Sequence, residues 1–342
     1  MTVGRPDPSP AADDEVGPGA RTPAVTDGRH PAAAFRSAVR DGRLDLPAPG
    51  GGRTAERFRR LAALGRADLT LARLGEGHAD ALAILAELGA SPDPARRREP
   101  WGVWAAVPAS LTATWDGERW RLTGDRPWCS GAGLLSRALV TATAADGVRL
   151  FSVEVGGAGV TPLAGTWPAV GMAASDSRTV RFDDVPGTPV GGPGSYTARP
   201  GFWHGGTGVA ACWYGGAVGV ADTLHAAARR RPLGPHALAH LGAVDAALAA
   251  ARAVLFAAAD EIDADPTGDA DRLAHQVRAA VEATATTVAD RVGRALGAGP
   301  LCQDADHARR VADLTVYLRQ SHAEADLAHL GELVTASGDP GW

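Results

Sequence analysis

The sequence predicts a mostly α-helical α+β protein with a small β domain in the middle of the chain. Before residue 100, apolar residues recur at helical spacing. Residues 101–193 hold short alternating segments between Gly, Asp and Pro turns, which is typical of a small sheet or barrel. Four long helical patterns with short links follow, and these predict a four-helix bundle.

The first hundred residues divide into two parts. Residues 1–30 are rich in Pro, Gly, Ala, Asp and Thr and have almost no large apolar side chains. Such a segment cannot bury enough surface to offset the entropy of ordering, so we predict that it is disordered. Residues 31–100 form the predicted N-terminal helical domain, with helices at 56–64 and 79–88 whose apolar residues share a face.

The remainder of the chain divides into the β domain, residues 101–193, and the bundle, residues 194–337. Residues 191–210 are rich in glycine and are predicted to be a connection between them. Links that contain Pro and Gly separate the four predicted helices of the bundle. These helices lie near 211–229, 236–264, 270–296 and 304–335.

Composition excludes several classes of function. The formal net charge is −5, which gives no electrostatic reason to bind nucleic acid or an anionic membrane. All 34 basic residues are Arg, so a lysine Schiff base and a Walker-type phosphate lysine are both excluded. No apolar run reaches the roughly 20 residues that span a bilayer, so we expect no membrane partner.

The cysteines and histidines show no pattern of a metal or disulfide site. Cys129, Cys212 and Cys302 are widely spaced and form no CxxC motif, which favours reduced thiols in a cytoplasmic protein. The chain has no HExxH motif, and its Cys and His positions are scattered along the sequence. We therefore predict no metal site.

Several local strings, taken in order, resemble the acyl-CoA dehydrogenase superfamily. They are the segments 67–78, 128–131 (Trp-Cys-Ser-Gly), 171–186 and 294–299. The resemblance runs from about residue 45 to about residue 335 and implies the same order of helical domain, β domain and bundle. It also implies a flavin oxidoreductase that uses FAD, acts on an acyl-CoA or related small molecule, and forms a homodimer or homotetramer.

The resemblance assigns flavin contacts to specific residues. The turn of Trp128, Cys129 and Ser130 would lie against the flavin ring. The helix end at Gly297 and Gly299 is similar to the family's flavin-binding Gly-rich string. Arg229 would meet the pyrophosphate of FAD or a CoA phosphate. The simpler alternatives are a β-turn with a buried tryptophan for Trp128 and a solvated helix end for Arg229.

The chain also departs from the family, because the usual catalytic Glu is not found and the β domain is short. Residues 320–323 read Gln-Ser-His-Ala where one subgroup carries its Glu, and residues 213–219 hold no carboxylate at the second known location. His322 is therefore the candidate catalytic residue, since a histidine titrates near neutral pH. The alternative is a surface histidine on a long amphipathic helix.

Two other functions stay open beside acyl-CoA dehydrogenation. The first is a non-catalytic binding or scaffold subunit, which would form a hetero-oligomer with a catalytic paralogue that holds the Glu. The second is a reduced-flavin monooxygenase of the same fold, which needs no base for an α-proton. Flavin content distinguishes the scaffold from both enzymes, and oxygen consumption distinguishes the two enzymes.

Overall fold

The computed structural model describes residues 31–106 and 110–338. The segment 1–30, which we predict to be disordered, lies outside these residues. The helices are α1 (Pro31–Arg40), α2 (Thr54–Ala67), α3 (Leu69–Glu87), α4 (Ser195–Ala198), α5 (Gly201–Arg230), α6 (Pro235–Ala264), α7 (Asp271–Leu296), α8 (Gly299–Gln303), α9 (Ala305–Tyr317) and α10 (Glu324–Ser337). The strands are β1 (Trp101–Trp104), β2 (Thr112–Trp115), β3 (Trp120–Cys129), β4 (Arg137–Ala144), β5 (Gly147–Glu154), β6 (Val160–Pro162) and β7 (Arg178–Val190).

The central strands close into a small barrel. Strand pairing runs β4–β2–β3–β7–β5 and returns to β4, so five strands form a ring. Strand β1 adds to β4 in parallel, and β6 adds to β7 in antiparallel orientation. The mostly helical α+β class with a small β barrel between two helical parts is thereby confirmed.

The two helical parts pack together through a close crossing of α2 and α5. A Cβ on Gly215 would lie 2.0 Å from the main-chain oxygen of Ala62, and one on Gly65 would lie 2.3 Å from that of Cys212. Only glycine permits such an approach of two helix backbones. The predicted Gly-rich connection is therefore wrong in part: α5 begins at Gly201, because its glycines serve helix packing and not flexibility.

The last predicted helix, 304–335, is also corrected. The chain forms α9, a short 3₁₀ turn at Leu318–Gln320 and then α10, so the segment with His322 is a break and not a helix surface. Ala323 in this break has φ +49°, a conformation that no α-helix contains. Arg319 and His322 therefore do not share a helix face.

Helix α6 is unusually apolar for its position. Within the described part of the chain it is the one helix that is long and apolar enough to cross a membrane by length and composition, with mean hydropathy 1.7 over its most apolar stretch. Only 22% of that stretch is buried. The buried side chains, which include Val244, Leu255 and Ile262, face the bundle, and the outer face stays exposed among the residues that the structure describes.

Candidate functional site

The barrel presents an open aromatic surface at Trp128. This residue lies in a β-bulge of β3, where the pairing with β7 shifts between Arg126 and Cys129, and its φ is +62°. Bulges re-aim side chains, and positive φ is uncommon for a bulky residue. The indole is 59% exposed and packs edge-on against Trp167, with ring centroids 6.1 Å apart. The alternative of a buried tryptophan is therefore wrong.

A chain of serine hydroxyls holds the same turn in place. The Oγ of Ser130 lies 2.8 Å from the Oγ of Ser177, which lies 2.8 Å from the Oγ of Ser175. Ser175 donates in turn to the main-chain oxygen of Met172. Trp104 Nε1 donates to the main-chain oxygen of Ser130 at 2.9 Å. The Trp128 turn is thus fixed to segment 172–177 by buried hydrogen bonds.

Cys129 lies in this turn but points away from its open side. The thiol is buried, and its Sγ lies 3.2 Å from the main-chain oxygen of Arg126. Burial raises the pKa of the Cys129 thiol well above its ordinary value, so the group stays neutral. Only its main chain can contribute to a surface beside Trp128.

Helices α3 and α9 also hold segment 172–177, and with it the Trp128 turn, in place. The main-chain N–H of Met172 donates to Asp313 Oδ1 on α9 at 2.5 Å. Arg309 bridges Asp313 and Asp68, the N-cap residue of α3, at 3.1 and 2.9 Å. Burial raises the pKa of Asp313, while Arg309 and the Met172 N–H lower it. This network joins the barrel to both helical parts at one place.

A largely buried stripe of charge on α3 lies beside Ser130. Arg73, Glu76 and Asp80 follow at spacings of three and four, so they share a face of a helix whose other residues are mostly apolar. Arg73 and Gly77 border a small cavity that Ser130 also lines. Arg73 Nη1 donates to Glu76 Oε2 at 2.8 Å, and the fully buried Arg57 pairs with Asp80.

Glu76 is the buried carboxyl group in this stripe. Desolvation raises its pKa to about 8, Asp80 adds to the effect and Arg73 acts against it. Tyr317 and Trp213 lie nearby and pack edge-on. The Tyr317 hydroxyl and Trp213 Nε1 are buried and form no hydrogen bond with described residues. Unpaired buried polar atoms around an acid with a perturbed pKa are typical of a functional site.

A cavity of about 250 Å³ lies at the other end of the stripe. Asp80, Glu87, Arg199 and His204 provide its polar walls. His204 is 1% exposed, and neither of its ring nitrogens has a hydrogen-bond partner among the described residues. Desolvation lowers the pKa of His204, so the ring is neutral at neutral pH. The cavity therefore offers one donor and one acceptor on the same ring to a bound molecule.

Gly50 keeps space open beside His204. Its φ is +69°, in the region that favours glycine, and a Cβ there would lie 3.4 Å from His204 Nδ1 and 3.0 Å from Pro266 Cβ. Glu87, on the far wall, is already engaged. It accepts from the Gly201 N–H at 2.9 Å and from Arg199 at 2.7 Å.

The other residues that the sequence singles out lie elsewhere. His322 is in the break before α10, its side chain is 72% exposed, and its Nδ1 lies 3.1 Å from Asp326 Oδ1. Arg229 is exposed at the end of α5. Gly297 caps α7 with φ +68°, and Gly299 begins α8. No hydrogen bond or ring contact within the described chain joins these residues to the Trp128 turn.

Sequence reasoning assigned no role to Glu76, Asp80 or Trp167. The resemblance already indicates that α3 faces the active site, but it assigns no role to the acids on it. The sequence signal that could have identified Glu76 and Asp80 is the presence of three charged residues on one face of a mostly apolar helix. From the sequence, His204 at the entry to the bundle could line a pocket or, more simply, be structural. Its burial without a hydrogen-bond partner among the described residues favours the pocket.

Comparison with known proteins supports the fold only. No family model matches the chain, and no curated protein sequence matches it. Among solved structures, KijD3 in complex with FMN and a dTDP-linked amino-keto sugar is 24% identical, with TM-score 0.73, covering 91% of this chain and 88% of KijD3. Methanesulfinate monooxygenase MsuC from Pseudomonas fluorescens is 19% identical, with TM-score 0.78 and 90% of each chain covered.

A third similar structure is TdsC from Paenibacillus sp. A11-2 in complex with FMN and indole. It is 20% identical, with TM-score 0.71, covering 88% of this chain and 94% of TdsC. These likenesses extend over nearly the whole of each chain. The chain therefore has the acyl-CoA dehydrogenase-like fold that its sequence resemblance implies.

Proposed function

We propose that this protein is a flavin-dependent monooxygenase that takes reduced flavin, binds it at the Trp128 turn and oxygenates a small molecule. The observation that carries the proposal is the exposed indole of Trp128, held at positive φ beside Trp167 and Ser130. An exposed indole backed by a partly buried one, with fixed hydroxyls beside it, suits the edge and face of an isoalloxazine ring. The FMN complexes of KijD3 and TdsC, and the monooxygenase name of MsuC, support the same reading.

The protein's own residues would position the flavin and exclude water. Trp128 would contact the ring, and Ser130 would place a hydroxyl whose orientation Ser177 fixes. When bound, reduced flavin supplies the two electrons with which O₂ delivers one oxygen atom to the substrate and one to water. We place FMN before FAD because two of the similar structures contain FMN. FAD stays the alternative, and titration of the protein with FMN and with FAD distinguishes the two cofactors by their affinities.

Glu76 favours oxygenation over acyl-CoA dehydrogenation. A dehydrogenase needs an ionised carboxylate to take an α-proton, but burial keeps Glu76 protonated at neutral pH. A neutral carboxyl group can instead donate a proton to an oxygen atom. No carboxylate lies in the break at residues 318–323. Ordinary α,β-dehydrogenation therefore has no suitable base at the position that the family resemblance indicates.

The cavity at His204 is the proposed substrate pocket. Its volume of about 250 Å³ is below the range of roughly 300–1,000 Å³ for drug-sized ligands. It suits a small polar molecule better than a CoA thioester. The neutral His204 ring, with two unpaired nitrogens, would hydrogen-bond a hydroxyl or carbonyl group of that molecule.

We also propose that the protein is a homo-oligomer that pairs through the outer face of α6. This face exposes Leu238 and Val254 together with a run of alanines, and it is the most apolar long helix surface among the described residues. An exposed apolar patch of this kind marks an interface in a folded protein. A second copy of the chain offers the same face, as a two-fold contact requires.

The test of the function is rapid mixing of the protein and reduced FMN with oxygen. We expect the protein to change the rate and spectral course of flavin reoxidation relative to free reduced FMN. Reoxidation identical to that of free flavin, together with no binding of FMN or FAD in either redox state, would favour the non-catalytic scaffold subunit. Reduction of bound oxidised flavin by an acyl-CoA would instead favour a dehydrogenase.

A further inference from the structure

A carboxylate and two imidazoles meet where α7 begins and α10 passes it. Asp271 Oδ2 lies 3.0 Å from His329 Nε2, and Asp271 Oδ1 lies 2.8 Å from His275 Nδ1. Each of the three side chains offers one potential ligand atom, and these atoms all lie within 4.8 Å of one another. Asp271 and His275 are four residues apart on α7, so they share a helix face, while His329 comes from α10.

The hydrogen bonds within the cluster leave one carboxylate oxygen without a donor among the described residues. Asp271 Oδ1 is buried and accepts no hydrogen bond from the described residues, although His275 Nδ1 is close. His275 is itself buried, with Trp203 packed on one side at 5.0 Å and the His329 ring on another at 4.9 Å between centroids. A buried carboxylate oxygen without a donor is costly and calls for a ligand.

An outer group orients His329. His275 Nδ1, the nitrogen that faces the carboxylate, also lies 3.0 Å from the main-chain oxygen of Asp271, so metal binding at this nitrogen would replace that hydrogen bond. His329 turns Nε2 toward Asp271 and Nδ1 toward Glu332, whose Oε2 is 3.9 Å away. A carbonyl or carboxylate that faces the second ring nitrogen is the usual companion of a metal-binding histidine.

We propose that Asp271, His275 and His329 bind one divalent transition-metal ion, with Zn²⁺, Co²⁺ or Ni²⁺ as the ions that suit two imidazoles and a carboxylate. At bond lengths of about 2.0–2.1 Å, neighbouring ligands of a tetrahedral ion lie about 3.3–3.4 Å apart, so the separations of 2.8 and 3.0 Å would widen slightly on binding. The two histidine nitrogens lie within 4.8 Å of each other, so side-chain rotation would bring this third pair to the ion. Three protein ligands leave one position for water, as in open zinc sites.

The ion would fasten the C-terminal helix to the bundle. None of the residues of α10 is buried, so few apolar contacts hold this helix in place. Metal coordination that joins α7 to α10 would stabilise the position of α10 in place of the apolar contacts that it lacks. Our prediction of no metal site rested on motifs of histidine and cysteine. This cluster has no such motif, because its four-residue spacing joins an aspartate, Asp271, to His275, and the third ligand lies on another helix.

The test is titration of chelator-treated, flavin-free protein with Zn²⁺ by calorimetry and with Co²⁺ by visible absorption. We expect one ion per chain, and Asp271→Asn and His329→Ala each to weaken binding by at least about 100-fold. His225→Ala is the matched control, since His225 is an exposed histidine on α5, and it should bind as the wild type does. Hydrogen exchange in α10 should slow on metal addition in the wild type alone.

Either of two results would overturn this site. The first is no stoichiometric uptake of either ion by the wild type, which would leave Asp271 as a hydrogen-bonding partner of two histidines. The second is uptake that Asp271→Asn and His329→Ala do not weaken. Because the titration uses no flavin, its outcome is independent of the proposed oxygenation.

Discussion

The Arg73 guanidinium donates to the Glu76 carboxyl group at 2.8 Å, one turn along a helix that is buried on almost all sides. Both side chains are removed from water, yet the carboxyl group keeps a raised pKa because burial outweighs the attraction of the guanidinium. The pair lies between the small cavity beside Ser130 and the larger cavity at His204. We propose that Glu76 is a proton donor between the proposed flavin site at Trp128 and the proposed substrate cavity at His204, and several predictions below test this arrangement.

The first prediction concerns stability against pH. The folded protein holds a proton on Glu76 between its ordinary pKa of 4.5 and about 8, while the unfolded chain has lost it. Stability must therefore fall as pH rises through this window, by at most ~1.4 kcal/mol per pH unit. Glu76→Gln removes that contribution, so the stability of the variant relative to the wild type should rise with pH. Urea denaturation across the window measures this difference.

The control for this experiment is Glu118→Gln, because Glu118 is an exposed carboxylate on the β2–β3 turn. Its stability difference from the wild type should not change across the same window. Equal pH profiles for Glu76→Gln and the wild type would show that the Glu76 carboxyl group has an ordinary pKa in the folded protein.

The second prediction compares the two candidates for acid–base chemistry. Glu76→Gln should lower turnover by about 100-fold or more, since a proton donor at the reacting atoms contributes that much. His322→Ala should retain turnover within about twofold, because His322 is mostly exposed and paired with Asp326. Steady-state oxygen consumption with reduced flavin, once a substrate is found, gives both values. The reverse pattern would assign the chemistry to His322.

The third prediction concerns Arg229 at the end of α5. If its guanidinium meets a flavin phosphate, Arg229→Ala should weaken FMN binding roughly tenfold and leave riboflavin binding unchanged. Arg119→Ala, a change at a similarly exposed arginine in the β domain, should affect neither flavin. Fluorescence titration with both flavins measures the contrast. Equal affinities in Arg229→Ala and the wild type would identify Arg229 as a solvated helix end.

The fourth prediction concerns assembly. Ala253→Glu places a charge on the exposed face of α6 and should shift the protein toward the monomer, since a buried unpaired carboxylate is costly. Ala145→Glu, in the exposed turn between β4 and β5, should leave the assembly unchanged. Light scattering coupled to size-exclusion chromatography gives the mass of each. A wild type that is already monomeric at high concentration would contradict the interface.

The order of domains could be predicted from the sequence because each part has its own periodicity. Alternation in residues 101–193 indicates strands, and long amphipathic patterns after residue 211 indicate helices. The start of α5 could not be predicted, because local glycine content favours a loop while the close approach at Gly215 is a tertiary requirement. The break at His322 is likewise a tertiary feature, because Arg319 pairs with Glu282 on α7 and α10 packs against α7, and no Gly or Pro marks it.

The candidate site was less predictable than the fold. The Trp128 turn could be proposed from its local string, but its exposure depends on a bulge that only the pairing of β3 with β7 defines. Glu76 and His204 become notable through burial without adequate partners, and burial is a property of the assembled chain. The metal ligands Asp271 and His329 are separated by 58 positions, so no local motif joins them.

The account depends most on the Trp128 turn as a flavin site, and anaerobic titration of the protein with reduced FMN tests this most directly. We expect saturable binding by the wild type and binding about tenfold weaker or worse in Trp128→Ala. Trp115→Ala is the matched control, because Trp115 is an exposed tryptophan of the same barrel, 55% accessible, and should bind as the wild type does. Reduced FMN that does not bind the wild type, or binds Trp128→Ala with unchanged affinity, would contradict the account.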